Sequence, residues 1–183
     1  EGQLQTIVML TKCSEGGKIK CEMYWSDSMG GVYETDTLTV TTTSNESYAD
    51  FQIRKFSIKC KVAPDADCLQ VTHFHYTAWP DHGVPQTATS ILSFVRRVQN
   101  AHDKGKGVPL LVHCSAGVGR TGTFIALDTL LDRVRSETSI SVFEIVKDMR
   151  NRRRFMIQTL AQYVLIYDAF DKYITCGDTG ISE

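Results

Sequence analysis

The sequence predicts an α/β domain in which helices flank a twisted, mixed β-sheet. Apolar residues alternate along the first third of the chain, as in β-strands, and recur at helical spacing over the second half. A wholly apolar stretch at residues 108–112 lies between two helical segments and is typical of a buried strand. The length of 183 residues, 42% of them hydrophobic, suits one domain with a substantial core. Within the predicted domain, the sequence shows no internal repeat, linker or low-complexity tract.

The first third is expected to be mostly antiparallel sheet. β-branched and aromatic residues dominate its apolar runs, and Gly16-Gly17 lies at the centre of a predicted turn. We predict strands over residues 4–10, 19–25, 32–43, 51–60 and 69–76, with the turn at Glu15-Gly16-Gly17-Lys18.

The second half is expected to be helical around the buried strand at 108–112. A glycine-containing turn at residues 104–107 precedes that strand. We predict helices that include residues 91–98, 124–134, 142–149 and 159–170. Their N-caps are Thr87 or Thr89 for the first, Ser141 with Glu144 for the third, and Thr159 with Gln162 for the last.

Composition and charge exclude several classes of protein. The balance of 20 Lys and Arg against 21 Asp and Glu leaves no basic excess, which argues against nucleic acid as the main ligand. No apolar run approaches the ~20 residues of a membrane-spanning helix, and the first residues show no signal pattern. The six cysteines form no CxxC pair, so we interpret them as reduced thiols in a cytosolic setting.

The segment from His113 to Gly122 joins the buried strand to the next helix and has the features of a phosphate-binding loop. Such a junction gathers unpaired backbone N–H groups at the positive end of the helix dipole. Gly117 and Gly119 allow tight closure around an anion, and that field favours the thiolate of Cys114. Arg120 has the fork geometry to bind two phosphate oxygens. The pattern indicates phosphoryl transfer through a cysteinyl-phosphate; the alternative is a buried core cysteine.

The same segment carries a family resemblance. His113-Cys114 and Arg120-Thr121 match the HCxxGxxR[ST] signature of the protein tyrosine phosphatases, and the longer string resembles the phosphotyrosine-specific branch rather than the dual-specificity branch. The resemblance implies the cysteine phosphatase (phosphotyrosine phosphatase II-like) fold and a phosphoric monoester hydrolase that acts in signal transduction. It assigns Cys114 as nucleophile. Phosphate binding falls to Arg120 and to the backbone amides of Ser115, Ala116, Gly117, Val118 and Gly119.

Two neighbours of the nucleophile receive supporting roles from this resemblance. Thr121 is expected to hydrogen-bond the Cys114 sulfur and ease its departure in the second step. His113 is expected to fix the geometry of the loop and the pKa of the thiolate. The alternative, a structural histidine at the end of a strand, is nearly the same role.

A second match lies upstream, where residues 79–85 (Trp-Pro-Asp-His-Gly-Val-Pro) resemble the mobile acid loop of the family. A tyrosyl oxygen leaves poorly unless it is protonated as the P–O bond breaks, so the reaction requires an acid. Asp81 is the candidate acid, and afterwards the base that activates water; it is also expected to contact substrate. Trp79 is a candidate hinge anchor. The alternative is a simple turn before a helix.

Weaker matches add four residues. Gln158 and Gln162 lie where the family positions the hydrolytic water, with Gln158 also touching substrate, although Gln162 also fits a capping box. Glu15 is expected to orient Arg120, and Lys20 to contact the closed acid loop; the alternative for both is a charged turn residue. The basic cluster at residues 150–154 is interpreted as an exposed helix C-terminus rather than a binding patch.

The resemblance also implies a larger parent protein. No KNRY-type segment occurs in the chain, so we expect residues 1–174 to form a catalytic domain whose N-terminal part is missing. Residues 175–183 are expected to be an exit linker, similar to that after the first domain of a tandem receptor-type phosphatase. This places the chain on the cytoplasmic side of the plasma membrane, with a second phosphatase domain in the parent and no membrane contact by the chain itself. A cytoplasmic location is the alternative.

The expected partners are phosphotyrosine-containing proteins, with no nucleic acid, no cofactor and no metal. Two other functions use the same loop. A phosphotyrosine-binding pseudophosphatase would keep the cradle without turnover, but Cys114, Asp81 and Arg120 are all present. A redox-sensing thiol domain would use the acidic cysteine but gives no reason for Asp81 or Gln158.

Overall fold

A computed structural model describes residues 4–63, 65–102 and 107–177. The chain divides into two compact units, one made of residues 1–77 and 102–111 and the other of residues 78–101 and 112–183. The strands are β1 (Thr6–Met9), β2 (Ser14–Glu15), β3 (Lys18–Ile19), β4 (Val32–Glu34), β5 (Leu38–Ser47), β6 (Phe51–Cys60), β7 (Leu69–Tyr76) and β8 (Leu110–His113). The helices are α1 (Ala88–Ala101), α2 (Gly119–Arg133), α3 (Val142–Arg152) and α4 (Leu160–Cys176).

The described strands form a six-stranded sheet and a separate two-stranded hairpin. The large sheet has the order β4-β5-β6-β7-β1-β8. β4 to β7 pair in antiparallel fashion, whereas β1 pairs with β7 in parallel. The predicted mixed α/β fold class is therefore confirmed. Residues 51–60 and 69–76 form strands with the predicted bounds.

Two strand predictions were wrong. The strand expected at residues 19–25 ends at Ile19, because the Cys13 carbonyl accepts both the Lys20 N–H at 2.8 Å and the Cys21 N–H at 3.3 Å. This double acceptance is a β-bulge, which ends regular pairing. The strand expected at residues 32–43 is a hairpin, since the Leu38 N–H donates to Thr35 Oγ1 at 2.9 Å in a turn between β4 and β5.

The helical predictions fared better. α1 begins directly after Thr87. Ser141 accepts the Glu144 N–H at the start of α3, and Thr159 with Gln162 forms a complete capping box at the start of α4. α2 packs against α1, α3 and α4, so buried side chains surround most of it. The predicted turn at residues 104–107 has only Gly107 among the described residues.

The last helix extends beyond the predicted catalytic domain. α4 continues through Thr175 to Cys176, which lies two residues into the predicted linker, and Gly177 follows it with a φ of 62°. The rest of that linker, residues 178–183, lies outside the described residues. Within the described ranges, no helix is both long and apolar enough to cross a membrane.

Candidate active site

The loop at residues 113–120, which we call the signature loop, joins the end of β8 to the first turn of α2. Gly117 adopts a φ of 69°, a left-handed conformation that costs glycine little, and its N–H donates to Cys114 Sγ at 3.2 Å. The sulfur therefore lies inside a turn of backbone amides at a helix N-terminus. This arrangement can bind an anion directly above the sulfur.

The surroundings of Cys114 favour its thiolate. Burial alone would raise the pKa of the thiol, but hydrogen bonds from Thr121, Gly117 and Val118 outweigh burial and bring the pKa below the ordinary value of 9.0. The Thr121 side chain is buried, and its hydroxyl is one of the donors that favour the ionised sulfur. Cys114 thus has the low-pKa microenvironment of a nucleophile.

His113 precedes Cys114, and two effects of opposite direction act on the pKa of its imidazole. Burial lowers the pKa of its imidazole, while a hydrogen bond with the Cys114 carbonyl, at 3.2 Å from Nδ1, opposes that effect. The ring holds the backbone at the entrance of the signature loop. Its role in setting the thiolate pKa stays a prediction.

Both candidate glutamines lie against the signature loop at Gly119. A Cβ atom at this position would lie 2.8 Å from Gln158 Oε1 and 3.0 Å from Gln162 Nε2. Only glycine lets both amides approach so closely. Gln162 also accepts the Gln158 N–H at 2.9 Å through Oε1, which joins the two side chains into one group. The capping role and the site position of Gln162 are therefore compatible.

The four residues 155–158, which we call the glutamine segment, have an unusual backbone. Phe155 and Ile157 have φ values of 67° and 62°, which are unfavourable for side chains with a Cβ and most of all for a β-branched residue. Arg150 donates to the Met156 carbonyl at 2.9 Å and the Ile157 carbonyl at 2.7 Å. The Ile157 N–H also donates to the Val118 carbonyl at 3.0 Å. These bonds hold Gln158 against the signature loop.

The basic cluster is thus more than an exposed helix end. Arg152 pairs with Asp148 on the surface, as the sequence interpretation expects. Arg150 instead holds the glutamine segment, and Arg153 lies against Gly117, where an added Cβ would be 3.1 Å from its guanidinium nitrogen. Sequence analysis missed both residues, since no local signal separates them from the other arginines of the cluster.

The acid loop, residues 79–85, packs on the guanidinium of Arg120. Trp79 is 1% exposed and donates from Nε1 to the Gly83 carbonyl at 3.2 Å, which closes the loop on itself. Arg120 donates to the Pro80 carbonyl at 3.2 Å and lies 5.5 Å from the centre of the Trp79 ring. Asp81 is exposed, next to the residue that Arg120 contacts. The role of Asp81 as the acid stays a prediction.

Glu15 and Lys20 belong to the other unit, on and beside the hairpin of β2 and β3. Glu15 is only 5% exposed and accepts hydrogen bonds from Thr11 Oγ1 at 3.1 Å and the Lys12 N–H at 3.2 Å. Lys20 lies half-buried in the bulge that ends the hairpin. Their roles toward Arg120 and the acid loop stay predictions. Among the described residues, no group of three His, Cys, Asp or Glu could hold a metal ion.

A nucleophilic cysteine in an amide cradle with a nearby arginine defines a cysteine-dependent phosphatase site. Comparison with known proteins agrees: the protein-family model described as protein-tyrosine phosphatase matches residues 1–172. The chain therefore belongs to the protein-tyrosine phosphatase family, and the predicted family and enzyme class are confirmed. It is also similar to the receptor-type tyrosine-protein phosphatase S of Gallus gallus, at 40% identity over 99% of the chain. The chain spans 12% of the length of that relative.

Proposed function

We propose that this chain hydrolyses phosphotyrosine in proteins through a cysteinyl-phosphate intermediate. Cys114 attacks phosphorus and displaces the tyrosyl oxygen, to which Asp81 gives a proton. A water molecule, deprotonated by Asp81, then attacks the cysteinyl-phosphate, and the sulfur leaves as a thiolate that Thr121 stabilises. The products are tyrosine and inorganic phosphate.

The observation that carries the proposal is the depressed pKa of Cys114 inside a loop whose amides point at the sulfur. The same amides, from Ser115 to Arg120, suit the equatorial oxygens of a transferring phosphoryl group, which carry the negative charge in the transition state. Arg120 supplies the charged part of that cradle. Its bond to the Pro80 carbonyl links phosphate binding to the position of the acid loop.

The second step is supported by the glutamine pair. Gln158 and Gln162 lie together against Gly119, at the side of the signature loop. A side-chain amide has both a donor and an acceptor, so it can orient a water molecule toward phosphorus. We assign Gln158 to this role and Gln162 to holding Gln158, with Trp79 anchoring the acid loop.

The first test replaces the nucleophile. Cys114→Ser should abolish hydrolysis of a phosphotyrosine peptide yet preserve its binding, because the amides and Arg120 remain. Turnover is measured by phosphate release and binding by calorimetry with the same peptide. Substantial residual hydrolysis would remove Cys114 from the role. If the wild-type chain binds the peptide but does not hydrolyse it, the chain is a phosphotyrosine-binding module instead.

The second test concerns the acid. Asp81→Ala should reduce turnover of aryl phosphates by about 10²–10⁴-fold, the usual contribution of general acid catalysis. The loss should shrink as the pKa of the leaving phenol falls, because such groups leave without a proton. Equal losses across a series of substituted phenyl phosphates would show that Asp81 acts on structure.

We infer that the parent protein is a receptor-type phosphatase that places this chain on the cytoplasmic side of the plasma membrane. The name of the avian relative and its much greater length support this inference. Its partners would be phosphotyrosine-containing signalling proteins, and a second phosphatase domain in the parent belongs to the same proposal. Fractionation of cells that express the full-length protein, followed by protease protection, tests the location.

A further inference from the structure

Two cysteines outside the proposed active site lie beside one another at the bulge that ends the β2–β3 hairpin. The Cys13 carbonyl accepts the N–H groups of both Lys20 and Cys21, so two residues of one strand oppose one residue of the other. Paired strands are about 5 Å apart, which falls within the ~4.4–6.8 Å Cα separation that a disulfide spans. The backbone therefore brings Cys13 and Cys21 within bonding reach.

The two side chains also point to the same side. Regular alternation would direct neighbouring positions of a strand to opposite faces, but the bulge changes this direction at Cys21. Cys13 and Cys21 both pack against one cluster of buried residues that includes Met9 and Trp25. Both are half-buried free thiols, so a small oxidant reaches them while the apolar cluster limits their freedom.

We propose that Cys13 and Cys21 form a dithiol redox site, separate from Cys114, that closes to an intramolecular disulfide on oxidation by hydrogen peroxide. One thiolate attacks peroxide, the O–O bond breaks, and a sulfenic acid and hydroxide form. The second thiol then attacks the sulfenic sulfur; the S–S bond forms and water leaves. The sulfur pair loses two electrons, and peroxide is reduced to water.

The surroundings of the pair raise the pKa of both thiols, mainly through burial. Asp27 raises the pKa of Cys13 further, and Arg54 lowers it. Negative charge at Cys13 and Glu22 raises the pKa of Cys21, so either thiol can be the first to react with peroxide. The titratable groups that face the pair are Glu22, Tyr24, Asp27 and Arg54.

The raised pKa values also set the pH dependence. Thiolate is the reactive form, so closure should be slower at pH 7 than oxidation of Cys114 and should accelerate as the pH rises. The hairpin between the cysteines contains Glu15 and borders Lys20. If Glu15 and Lys20 have the supporting roles predicted for them in the proposed function, oxidation stiffens a segment that supports catalysis.

The experiment maps the disulfide in the intact chain. The reduced chain is exposed to hydrogen peroxide at pH 8, free thiols are blocked with N-ethylmaleimide, and the protein is digested with trypsin without reduction. Trypsin cuts after Lys12, Lys18 and Lys20, so Cys13 and Cys21 fall on different peptides, each with a single cysteine. We expect these two peptides to appear as one species that dithiothreitol separates.

Matched variants complete the test. Cys13→Ser and Cys21→Ser should each eliminate the linked species, whereas Cys60→Ser, at another half-buried free thiol, should leave it unchanged. Oxidation should also raise the thermal midpoint of the wild type, reversibly, and not that of either variant. The proposal is overturned if both cysteines are recovered blocked or singly oxidised, or if Cys13 links to another cysteine. None of these results depends on phosphatase activity, so the proposed function can fail separately.

Discussion

The signature loop and the glutamine segment meet at Gly119, yet their backbones are held in opposite ways. In the signature loop the left-handed position is occupied by Gly117, and the N–H of that residue bonds within the loop. In the glutamine segment the left-handed positions are occupied by Phe155 and Ile157, whose Cβ atoms make that conformation sterically unfavourable. The first loop is relaxed, and the second is strained.

The difference lies in where the stabilising contacts come from. In the signature loop the groups that stabilise the Cys114 sulfur, Thr121 and the nearby backbone amides, all come from one short stretch of the chain. The glutamine segment depends on Arg150 from α3 and on the Val118 carbonyl, which lies far from it in sequence. A strained segment persists only when its surroundings over-determine it.

The largest effect is expected where the two regions touch. Gly119→Ala puts a methyl group 2.8 Å from Gln158 Oε1 and 3.0 Å from Gln162 Nε2, which are ends of flexible side chains. The amides should move aside, so turnover should fall about 10²-fold, as expected when positioning groups shift by about 1 Å. Steady-state kinetics with a phosphotyrosine peptide measures the loss, and the thermal midpoint should change little.

Gly122→Ala is the matched control. A Cβ at this position would lie 2.7 Å from the Ile157 nitrogen, a backbone atom that cannot rotate away. We therefore expect a loss of about 1–3 kcal/mol in unfolding free energy, which is typical of overpacking. Denaturant titration measures it. Equal stability losses for both alanine variants would contradict the distinction between flexible and fixed neighbours.

The next effect tests the outside support of the glutamine segment. Arg150→Met removes both bonds to the Met156 and Ile157 carbonyls, and turnover should fall about 10-fold because Gln158 is positioned less well. Rapid-quench kinetics should show a larger burst of phenol release, since hydrolysis of the cysteinyl-phosphate slows more than its formation. Arg152→Met, which removes a surface pair with Asp148, should leave both unchanged. A loss confined to formation of the intermediate would refute this role for Arg150.

The strain itself has a smaller expected effect. Phe155→Gly should stabilise the chain by about 0.5–1 kcal/mol, because relief of a left-handed conformation exceeds the entropy cost of glycine. Phe155 is 71% exposed, so little burial is lost. Gly117→Ala should act in the opposite direction, through its φ of 69° and its contact with Arg153. Chemical denaturation measures the change in unfolding free energy of both variants. A change in the same direction for both would contradict the difference in strain between the two regions.

The smallest effect concerns the thiolate. Thr121→Val removes a hydroxyl that stabilises it, so the pKa of Cys114 should move up toward 9.0. The pH dependence of inactivation by iodoacetamide measures this pKa. Because the pKa of Cys114 is lower in the folded chain than in the unfolded chain, the thiolate contributes its full stabilisation above pH 9.0. That stabilisation is lost as the pH falls through the pKa of the folded chain. The variant should therefore lose stability relative to wild type at alkaline pH and not at pH 5; an unchanged inactivation profile would exclude the role.

The predictions from sequence succeeded where the signal is local. Strands 51–60 and 69–76, the capping box at Thr159 and the predicted family all rest on contiguous residues. The prediction of a strand over residues 19–25 was wrong because a β-bulge is a feature of the backbone, and the alternation of side chains in the sequence does not reveal it. Val164 and Tyr167, which fit the apolar periodicity of α4, are 45% and 44% exposed, since periodicity does not show which face another element covers.

The family, the candidate nucleophile and the candidate acid could be predicted from sequence, because each is defined by a motif of residues that lie close together in the chain. Packing between elements was needed to show which arginine of residues 150–154 holds the glutamine segment and which lies on Gly117. The same holds for Cys13 and Cys21, which lie side by side only because of the bulge in the folded hairpin. These contacts join separate elements, so they depend on how the elements pack against one another. The arginines of residues 150–154 have identical side chains in one short run, and the sequence does not show which partner each one contacts.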